Sequence, residues 1–424
     1  MREERLLNRI VDGLKDMCYI WSKEMRSTIK DEGVLIFFIL VPILYPLLYG
    51  WIYTNEVVRD VEVAVVDMSH SHSSREFLRQ VDSSADVKVA YHCNNLEEAQ
   101  KLVGKQVVHG IIYIPSDFST NLGRGEQSSI EVYCDMRSML TYKAIFQTSQ
   151  AVATEMNSHI QIQKSGGMTA RDDELTTHPI EVDEVSIFNA TGGYGNSVIP
   201  AVLLLILQQT IVLGIGLSAG TARESNRYRD LVPISRHYNG IFRIVLGKGL
   251  CYFMIAVVMG AYITCVVPRI YGYTTMVTPF QLLAMMIPFI LSAIFFGMTV
   301  SCMIRYRENV MLLVVFASLP MLFMTGVSWP ESNMPGIWRG IAWLFPSTFG
   351  VRGFIKMSSM GGSLGDIGLE YQALWVQSLI YFFITCLVYR FQLKQTRMHA
   401  VEQMEKIQNI IRRNRKIKQE NTAI

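Results

Sequence analysis

Six long stretches without a charged side chain are the feature that most limits what this 424-residue chain can fold into. The stretches are Gly33–Tyr53, Gly195–Ala222, Gly249–Pro268, Ile270–Ile304, Asn309–Pro330 and Tyr371–Tyr389. Each is near or above the ~20 residues that a helix rising ~1.5 Å per residue needs to cross ~30 Å of hydrocarbon. They predict an α-helical membrane protein with six transmembrane helices, at residues 33–54, 195–220, 248–268, 279–304, 309–329 and 371–390. The fourth stretch is too long for one span, and Pro279 marks where its helix begins because proline suits a first turn.

The distribution of basic residues predicts which side of the membrane each segment occupies. Twenty-four Lys and Arg residues lie before the first span, between spans two and three, between spans four and five, and after span six, against four in the opposite short loops. The positive-inside rule therefore puts both termini in the cytoplasm of a multi-pass protein of the inner or plasma membrane. The net charge of +3 gives no reason to expect a nucleic-acid partner.

Residues 55–190, between the first two spans, change character and predict an inserted extracytoplasmic α/β domain. Strands are predicted at "VEVAVVD" (Val61–Asp67), "DVKVAYH", "VHGIIYIP", "SIEVYCD" and "PIEVDEVSIFN". Helices are predicted at "SSREFLRQVDSS", with Ser73 and Ser74 suited to capping, at "NLEEAQKLVGKQ", and from about Met139 to Gln163. Cys93 and Cys134 either form a disulfide in an oxidising compartment or remain two unpaired core residues.

No catalytic, cofactor-binding or metal-binding residues are predicted. His70, His72 and His92 could suggest a metal site, but "DMSHSHSSRE" is typical of a polar turn between a strand and a helix. The chain has no G-x-x-x-x-G-K-[ST] motif with which to bind a nucleotide. The spans are nearly free of ionisable groups, which disfavours an ion-coupled carrier.

Three cytoplasmic segments are predicted. Residues 1–32 form an amphipathic helix that either lies on the inner leaflet or packs on a partner. Residues 221–247 form a charged loop that either couples to a partner or is only solvated; its candidate residues are Arg223, Glu224, Arg227, Arg229 and Asp230. The basic tail, residues 391–424, either contacts anionic lipid or is a solvated end.

Residues 330–356 are too polar to continue span five and too apolar for an ordinary loop. Pro330 and Pro335 break the helix, and the uncharged run between Arg339 and Arg352 is 12 residues long. A run of that length is too short to cross a bilayer. It predicts a re-entrant or interfacial hairpin between spans five and six, with tryptophans at headgroup level.

The order of these features resembles the permease subunit of ABC exporters of the ABC-2 type, over almost the whole chain. Three places carry the resemblance: "IFNATGGYGNSVIPAVL", "RESNRYRDLVPISRHYNGIFRIVLGK" and "TGVSWPESNMPGIWRGIAWLFPSTFGVRGF". The third is the most specific, and its signature residues are Gly326, Pro330, Asn333, Met334, Pro335, Pro346, Ser347 and Arg352. The second keeps an acidic-basic pair, Arg223 and Glu224, but has "SNRYRD" where the family has Gly-Thr.

The resemblance implies a transport subunit, not an enzyme, that exports small amphipathic or drug-like compounds. ATP and Mg would be bound by a separate ATPase, and this chain would bind no cofactor. Its partners would be that ATPase, a second permease copy or paralogue, the lipid bilayer, and a periplasmic adaptor with an outer-membrane channel. The alternative is a multi-span sensor or anchor whose extracytoplasmic domain binds a ligand.

Overall fold

A computed structural model describes residues 2–54, 57–165, 188–189, 193–224, 230–233, 235–238, 240–304 and 306–422. The chain divides into two compact units, one formed by Met1–Thr54 with Phe188–Ile424 and the other by Asn55–Ile187. We call them the helical unit and the α/β unit.

The helical unit begins with an N-terminal helix, Arg2–Lys30, and contains the apolar helices. Within the described residues, six helices are long and apolar enough to cross a membrane: span 1 (Glu32–Ile52), span 2 (Ile199–Glu224), span 3 (Ile241–Tyr271), span 4 (Pro279–Met303), span 5 (Arg307–Met324) and span 6, whose apolar part lies in Gly368–Lys406. The predicted number of spans is confirmed by length and composition. The bounds of the spans differ from the predicted ones, and the largest differences are that span 3 begins at Ile241 and that the helix of span 6 continues without a break to Thr422.

The helix starts follow from local capping. Asp31 separates the N-terminal helix from span 1, and its carboxylate accepts hydrogen bonds from the backbone N–H groups of Gly33 and Val34 at 3.1 and 3.2 Å. Pro279 occupies the first turn of span 4, as predicted. Spans 1 and 3 each contain one π-helical turn, at Ile36–Leu40 and Tyr262–Val266.

Span 2 lies at the centre of the helical core. Of its most apolar segment 78% is buried, against 22% for span 5. Small residues allow this close packing: a Cβ at Gly214 would lie 2.5 Å from the ring of Phe38 in span 1, and a Cβ at Gly216 would lie 2.4 Å from Val310 in span 5. The neighbouring helices therefore approach the backbone of span 2 directly.

The segment between spans 5 and 6 forms two short helices, Gly336–Ala342 and Pro346–Ser358, after a 3₁₀ turn at Glu331–Asn333. We call residues 325–358 the hairpin segment. Most of the second helix is buried, and Gly350 lies against Phe289 of span 4. Its depth in a bilayer stays a prediction.

The described residues of the α/β unit contain one four-stranded sheet: β1 (Val61–Asp67), β2 (Val87–His92), β3 (Gly110–Ile114) and β4 (Glu131–Cys134). The strand order is β2-β1-β3-β4, with β1 parallel to both neighbours and β4 antiparallel to β3. The helices in this part of the chain are α1 (His72–Asp82), α2 (Leu96–Gly104), α3 (Phe118–Arg124) and α4 (Met139–Ser165). Helix α3 was not predicted, and the predicted strand "PIEVDEVSIFN" lies almost wholly outside the described residues.

Alternate residues of β1 face two separate cores, as the period of two in a strand requires. Val63 and Val65 belong to the core that includes α1 and α4, and Ala64 and Val66 to the core on the other face. Cys134 packs against the first core and Cys93 lies in the second, so their thiols are free and not paired with each other.

The turn after β1 is organised by Asp67 and not by its histidines. The Asp67 carboxylate accepts hydrogen bonds from the N–H groups of Ser69 and His70 at 3.0 Å and from the Ser74 hydroxyl at 2.7 Å. Ser71 is the N-cap of α1 and forms a reciprocal capping box with Ser74. The predicted capping role of Ser74 is thus a supporting one, and Ser73 is not the cap. No three potential metal ligands cluster within the described residues.

Candidate coupling site at the basic end of the helical unit

The basic end of the helical unit is formed by the N-terminal helix, the described residues of 221–248, the start of span 5 and residues 390–406 of the span 6 helix. Four of its acidic side chains pair with partners that are distant in sequence. The pairs are Glu24 with Lys248, Asp16 with Arg243 and His237, Asp31 with Arg307, and Asp230 with His399.

Glu24 and Lys248 form the most buried of these pairs. The two residues are 7% and 4% exposed, and Lys248 Nζ lies 2.9 Å from the carboxylate. The same carboxylate accepts hydrogen bonds from the hydroxyls of Tyr252 in span 3 and Ser218 in span 2. Burial acts to raise the pKa of Glu24, but Lys248 and these hydrogen bonds outweigh it, so the pKa lies below its usual value. Glu24 is therefore ionised and fixes the N-terminal helix to two spans.

Asp16 makes a second attachment, eight residues closer to the N-terminus on the same helix. Its carboxylate lies 2.6 Å from Arg243 Nη1 and 2.7 Å from His237 Nδ1. The hydrogen bond with His237 is the main reason that the pKa of Asp16 lies below its ordinary value, and Arg243 adds to the effect. Arg243 belongs to span 3, so two cations of this helix, Arg243 and Lys248, are paired with the N-terminal helix.

Asp31 joins three spans. Besides capping span 1, it accepts a hydrogen bond from the Thr221 hydroxyl of span 2 at 2.6 Å and lies 2.7 Å from Arg307 Nη2 of span 5. Burial acts to raise the pKa of Asp31, but the bonds from Thr221, the Val34 N–H and Arg307 together hold it below the ordinary value.

Arg223 is buried and binds span 4. It is 3% exposed, and its guanidinium donates hydrogen bonds to the carbonyls of Ser301 at 3.3 Å, Cys302 at 2.9 Å and Ile304. These carbonyls end span 4, where a helix leaves its last C=O groups without internal partners and attracts positive charge. Arg223 thus connects the end of span 2 to the end of span 4.

The other predicted loop residues are more scattered. Glu224 is exposed, Arg227 and Arg229 lie outside the described residues, and Asp230 lies 3.0 Å from His399 Nδ1 of the span 6 helix. The structure therefore brings Arg223 and Asp230 to two different spans and not to one shared surface.

Arg352 makes the polar contacts that hold the start of the hairpin segment. Its Nη1 lies 2.5 Å from the Glu331 carboxylate and its Nε donates to the Thr325 carbonyl at 3.1 Å. Gly326 has φ +89°, a conformation that favours glycine, and lies beside the same guanidinium. Pro330 and Pro335 bracket the 3₁₀ turn that contains Asn333, and Pro346 begins the second short helix. Sequence analysis missed Glu331 as the partner of Arg352.

The buried face of the N-terminal helix is not the one that its apolar residues alone would indicate. The apolar Leu14 is 52% exposed, whereas Ile20, Glu24 and Thr28 are buried on one face. Those three residues recur every four positions, which is a helical spacing that could have been recognised if acidic residues had been admitted to the buried face. The helix packs through this face on span 3 of its own chain.

Comparison with known proteins gives the family. Residues 33–387 match the family model of the ABC-2 family transporter protein. The probable multidrug ABC transporter permease YbhR of Escherichia coli K12 is 19% identical over 331 residues, covering 76% of this chain and 84% of that protein. The linearmycin resistance permease protein LnrN of Bacillus subtilis 168 is 19% identical over 357 residues, covering 80% of this chain and 89% of that protein. The resemblance predicted from the sequence is confirmed: the chain belongs to the ABC-2 family of transporter proteins and is a multi-pass membrane subunit of an ABC transporter.

Proposed function

We propose that this chain is the permease of an exporter that moves small amphipathic or drug-like compounds out of the cytoplasm or the inner leaflet. A separate ATPase binds ATP and Mg and supplies the work, and two permease copies or paralogues assemble together. The names of the two relatives, one a probable multidrug permease and the other a linearmycin resistance permease, support export of small compounds. The basic end faces the cytoplasm in this proposal, in agreement with the positive-inside rule.

The observation that carries the proposal is that the basic end links every span by a buried or half-buried polar contact. Asp31 caps span 1 and binds spans 2 and 5, and Glu24 binds spans 2 and 3. Arg223 binds span 4, and Asp230 binds the span 6 helix. A partner that displaces the loop between Arg223 and Asp230 would therefore move the ends of spans 2, 4 and 6 together.

These polar contacts between the spans are suited to transport that is driven from one face of the membrane. Rigid-body rotation of packed helices is a common switching transition, and it needs contacts that do not yield when one element is moved. Charge-assisted hydrogen bonds in a buried setting supply these contacts because breaking them leaves a charge without a partner. The external α/β unit would receive or pass on the exported compound.

The proposal is tested by isolating the chain from its native membrane in mild detergent and identifying the cytoplasmic protein that accompanies it. We expect an ATPase, and we expect amphipathic drugs to raise the ATP hydrolysis of the reconstituted complex. Arg223→Gln should lower this drug stimulation at least severalfold while the complex still assembles. Arg269→Gln, which removes an exposed arginine at the other end of span 3, is the matched control and should leave it unchanged. ATP hydrolysis by the purified chain alone, or labelling of Glu224 from the exterior, would contradict the proposal.

A further inference from the structure

The α/β unit contains a cavity of about 360 Å³ between the sheet and three of its helices. The cavity lies beside β4 and is lined by residues of α1, α3 and α4. The lining side chains used below are Phe77, Phe118, Phe146, Ser149, Ala153 and Ser128. This volume is within the range of ~300–1,000 Å³ that is usual for small-molecule sites.

The walls of the cavity are mainly apolar: among the described lining residues, only Ser128, Ser149, Gln150 and Asn157 are polar, and all four are uncharged. Phe77 and Phe118 are 1% and 4% exposed, whereas Phe146 is 43% exposed, so that one aromatic ring remains open to an incoming molecule. None of the described lining residues is ionisable. Placing a charged group here would remove its hydration without providing a counter-charge, which is strongly unfavourable.

Two hydroxyl groups on the cavity lining have no hydrogen-bond partner within the described part of the chain. They belong to Ser149, which is 5% exposed, and Ser128. A serine or threonine in a helix can satisfy itself on the carbonyl four residues earlier, and on the same helix Thr154 does so with Gln150 at 2.9 Å. Ser149 makes no such bond. A buried hydroxyl left unpaired is unfavourable, and a ligand with a hydrogen-bonding group would relieve it.

We propose that this cavity is a binding site for a neutral, mainly apolar small molecule that carries a hydrogen-bonding group, which Ser149 contacts. The mainly apolar walls supply the affinity, and the lack of ionisable groups among the described lining residues selects against charged compounds. That the bound molecule is also the exported one rests on the proposed function; the existence of the site does not.

The test uses the full chain in lipid nanodiscs and two fluorescent probes that differ by one sulfonate group. N-phenyl-1-naphthylamine is neutral, and 8-anilinonaphthalene-1-sulfonate is its anionic counterpart. The saturable part of each titration is separated from the linear part due to lipid partitioning. Hydrogen exchange locates the bound probe through protection of β4 and α4. Three variants are compared: Ala153→Phe, which fills the cavity; Ala151→Phe, the same change at an exposed position of α4; and Ser149→Ala.

We expect saturable binding of the neutral probe, at least tenfold weaker binding of the anionic one, and protection of β4 and α4. Ala153→Phe should weaken neutral-probe binding at least tenfold, and Ala151→Phe should not change it. Ser149→Ala should weaken it roughly two- to tenfold, the effect of losing one hydrogen bond. If Ala153→Phe does not fold, Ser149→Ala tests the site instead. This variant should fold, because the Ser149 hydroxyl has no hydrogen-bond partner within the described residues.

Equal binding by the two phenylalanine variants, equal affinity for the two probes, or full affinity in Ser149→Ala would overturn the site. Drug-stimulated ATP hydrolysis of the complex distinguishes the two proposals. If stimulation is normal but the neutral probe does not bind, only the site is lost. If the probe binds but no ATPase accompanies the chain, the proposed function is lost and the site remains.

Discussion

Substitution of Glu24 by glutamine removes one charge from the most buried ion pair among the described residues and changes little else. The amide oxygen can still accept hydrogen bonds from Tyr252 and Ser218, so the loss is confined to the interaction with Lys248. The ammonium group, in a residue 4% exposed, is then left without a counter-charge. Breaking a buried pair from one side usually costs about 3–5 kcal/mol, and we expect the free energy of unfolding to fall by that amount.

The double substitution Glu24→Gln with Lys248→Met isolates the interaction. Replacing both partners of a buried pair by uncharged groups is often neutral or even stabilising. We therefore expect the double variant to be about as stable as the parent, and more stable than either single variant by about 3 kcal/mol. Glu402→Gln breaks the exposed pair with Lys406 and is the control, for which no measurable change is expected.

The measurement is reversible unfolding of the detergent-solubilised chain by increasing SDS, followed by circular dichroism, for the parent, the two single variants, the double variant and the control. A loss below about 1 kcal/mol in Glu24→Gln would show that Lys248 finds water or another acceptor, contrary to its burial. A double variant as unstable as the sum of the single ones would show that the two charges do not interact.

Three further predictions test other parts of the helical unit. The pKa of Asp31 is lower in the folded chain than in the unfolded chain. The contribution of Asp31 to stability is therefore complete above its unfolded pKa of about 3.9 and is lost as the pH falls through the lower folded value. Between pH 7 and pH 3 the melting temperature should fall less in Asp31→Asn than in the parent. Gly350→Ala should destabilise by about 1–3 kcal/mol in SDS unfolding because a Cβ would lie 2.3 Å from the buried ring of Phe289, whereas Gly340→Ala has nothing within 4 Å and should be neutral or slightly stabilising; equal effects would contradict the packing described. Arg352→Gln should cost about 2 kcal/mol through its lost charge-assisted bonds, and an unchanged melting temperature would count against its role in the hairpin segment.

The spans could be predicted from the sequence because the absence of charge is a local property. The start of span 3 shows where this reasoning fails. Its helix begins at Ile241, yet Arg243 and Lys248 precede the uncharged stretch, so the predicted start at residue 248 came seven residues too late. Their charges are neutralised by Asp16 and Glu24, which lie more than two hundred residues away in sequence. No local pattern contains that pairing.

The candidate site was predicted in part for the same reason. The loop that carries Arg223 and Asp230 could be recognised from its charge. Its charge did not indicate that Arg223 donates hydrogen bonds to the carbonyls at the end of span 4. The end of span 6 shows a second limit. The first charged residue after the apolar part follows Tyr389, so the predicted span ended there. The helix itself continues to Thr422, because no proline or glycine follows Gly368 in this stretch.

The pairing of Glu24 with Lys248 also has a consequence for biosynthesis. The two residues are 224 positions apart, so the carboxylate leaves the ribosome long before its partner exists. At about 5–20 residues per second, that interval is roughly 10–45 s. During this time the N-terminal helix lacks Lys248, the cation with which Glu24 pairs in the folded chain. Its docking is thus a late step of assembly, which begins only after the third span has entered the membrane.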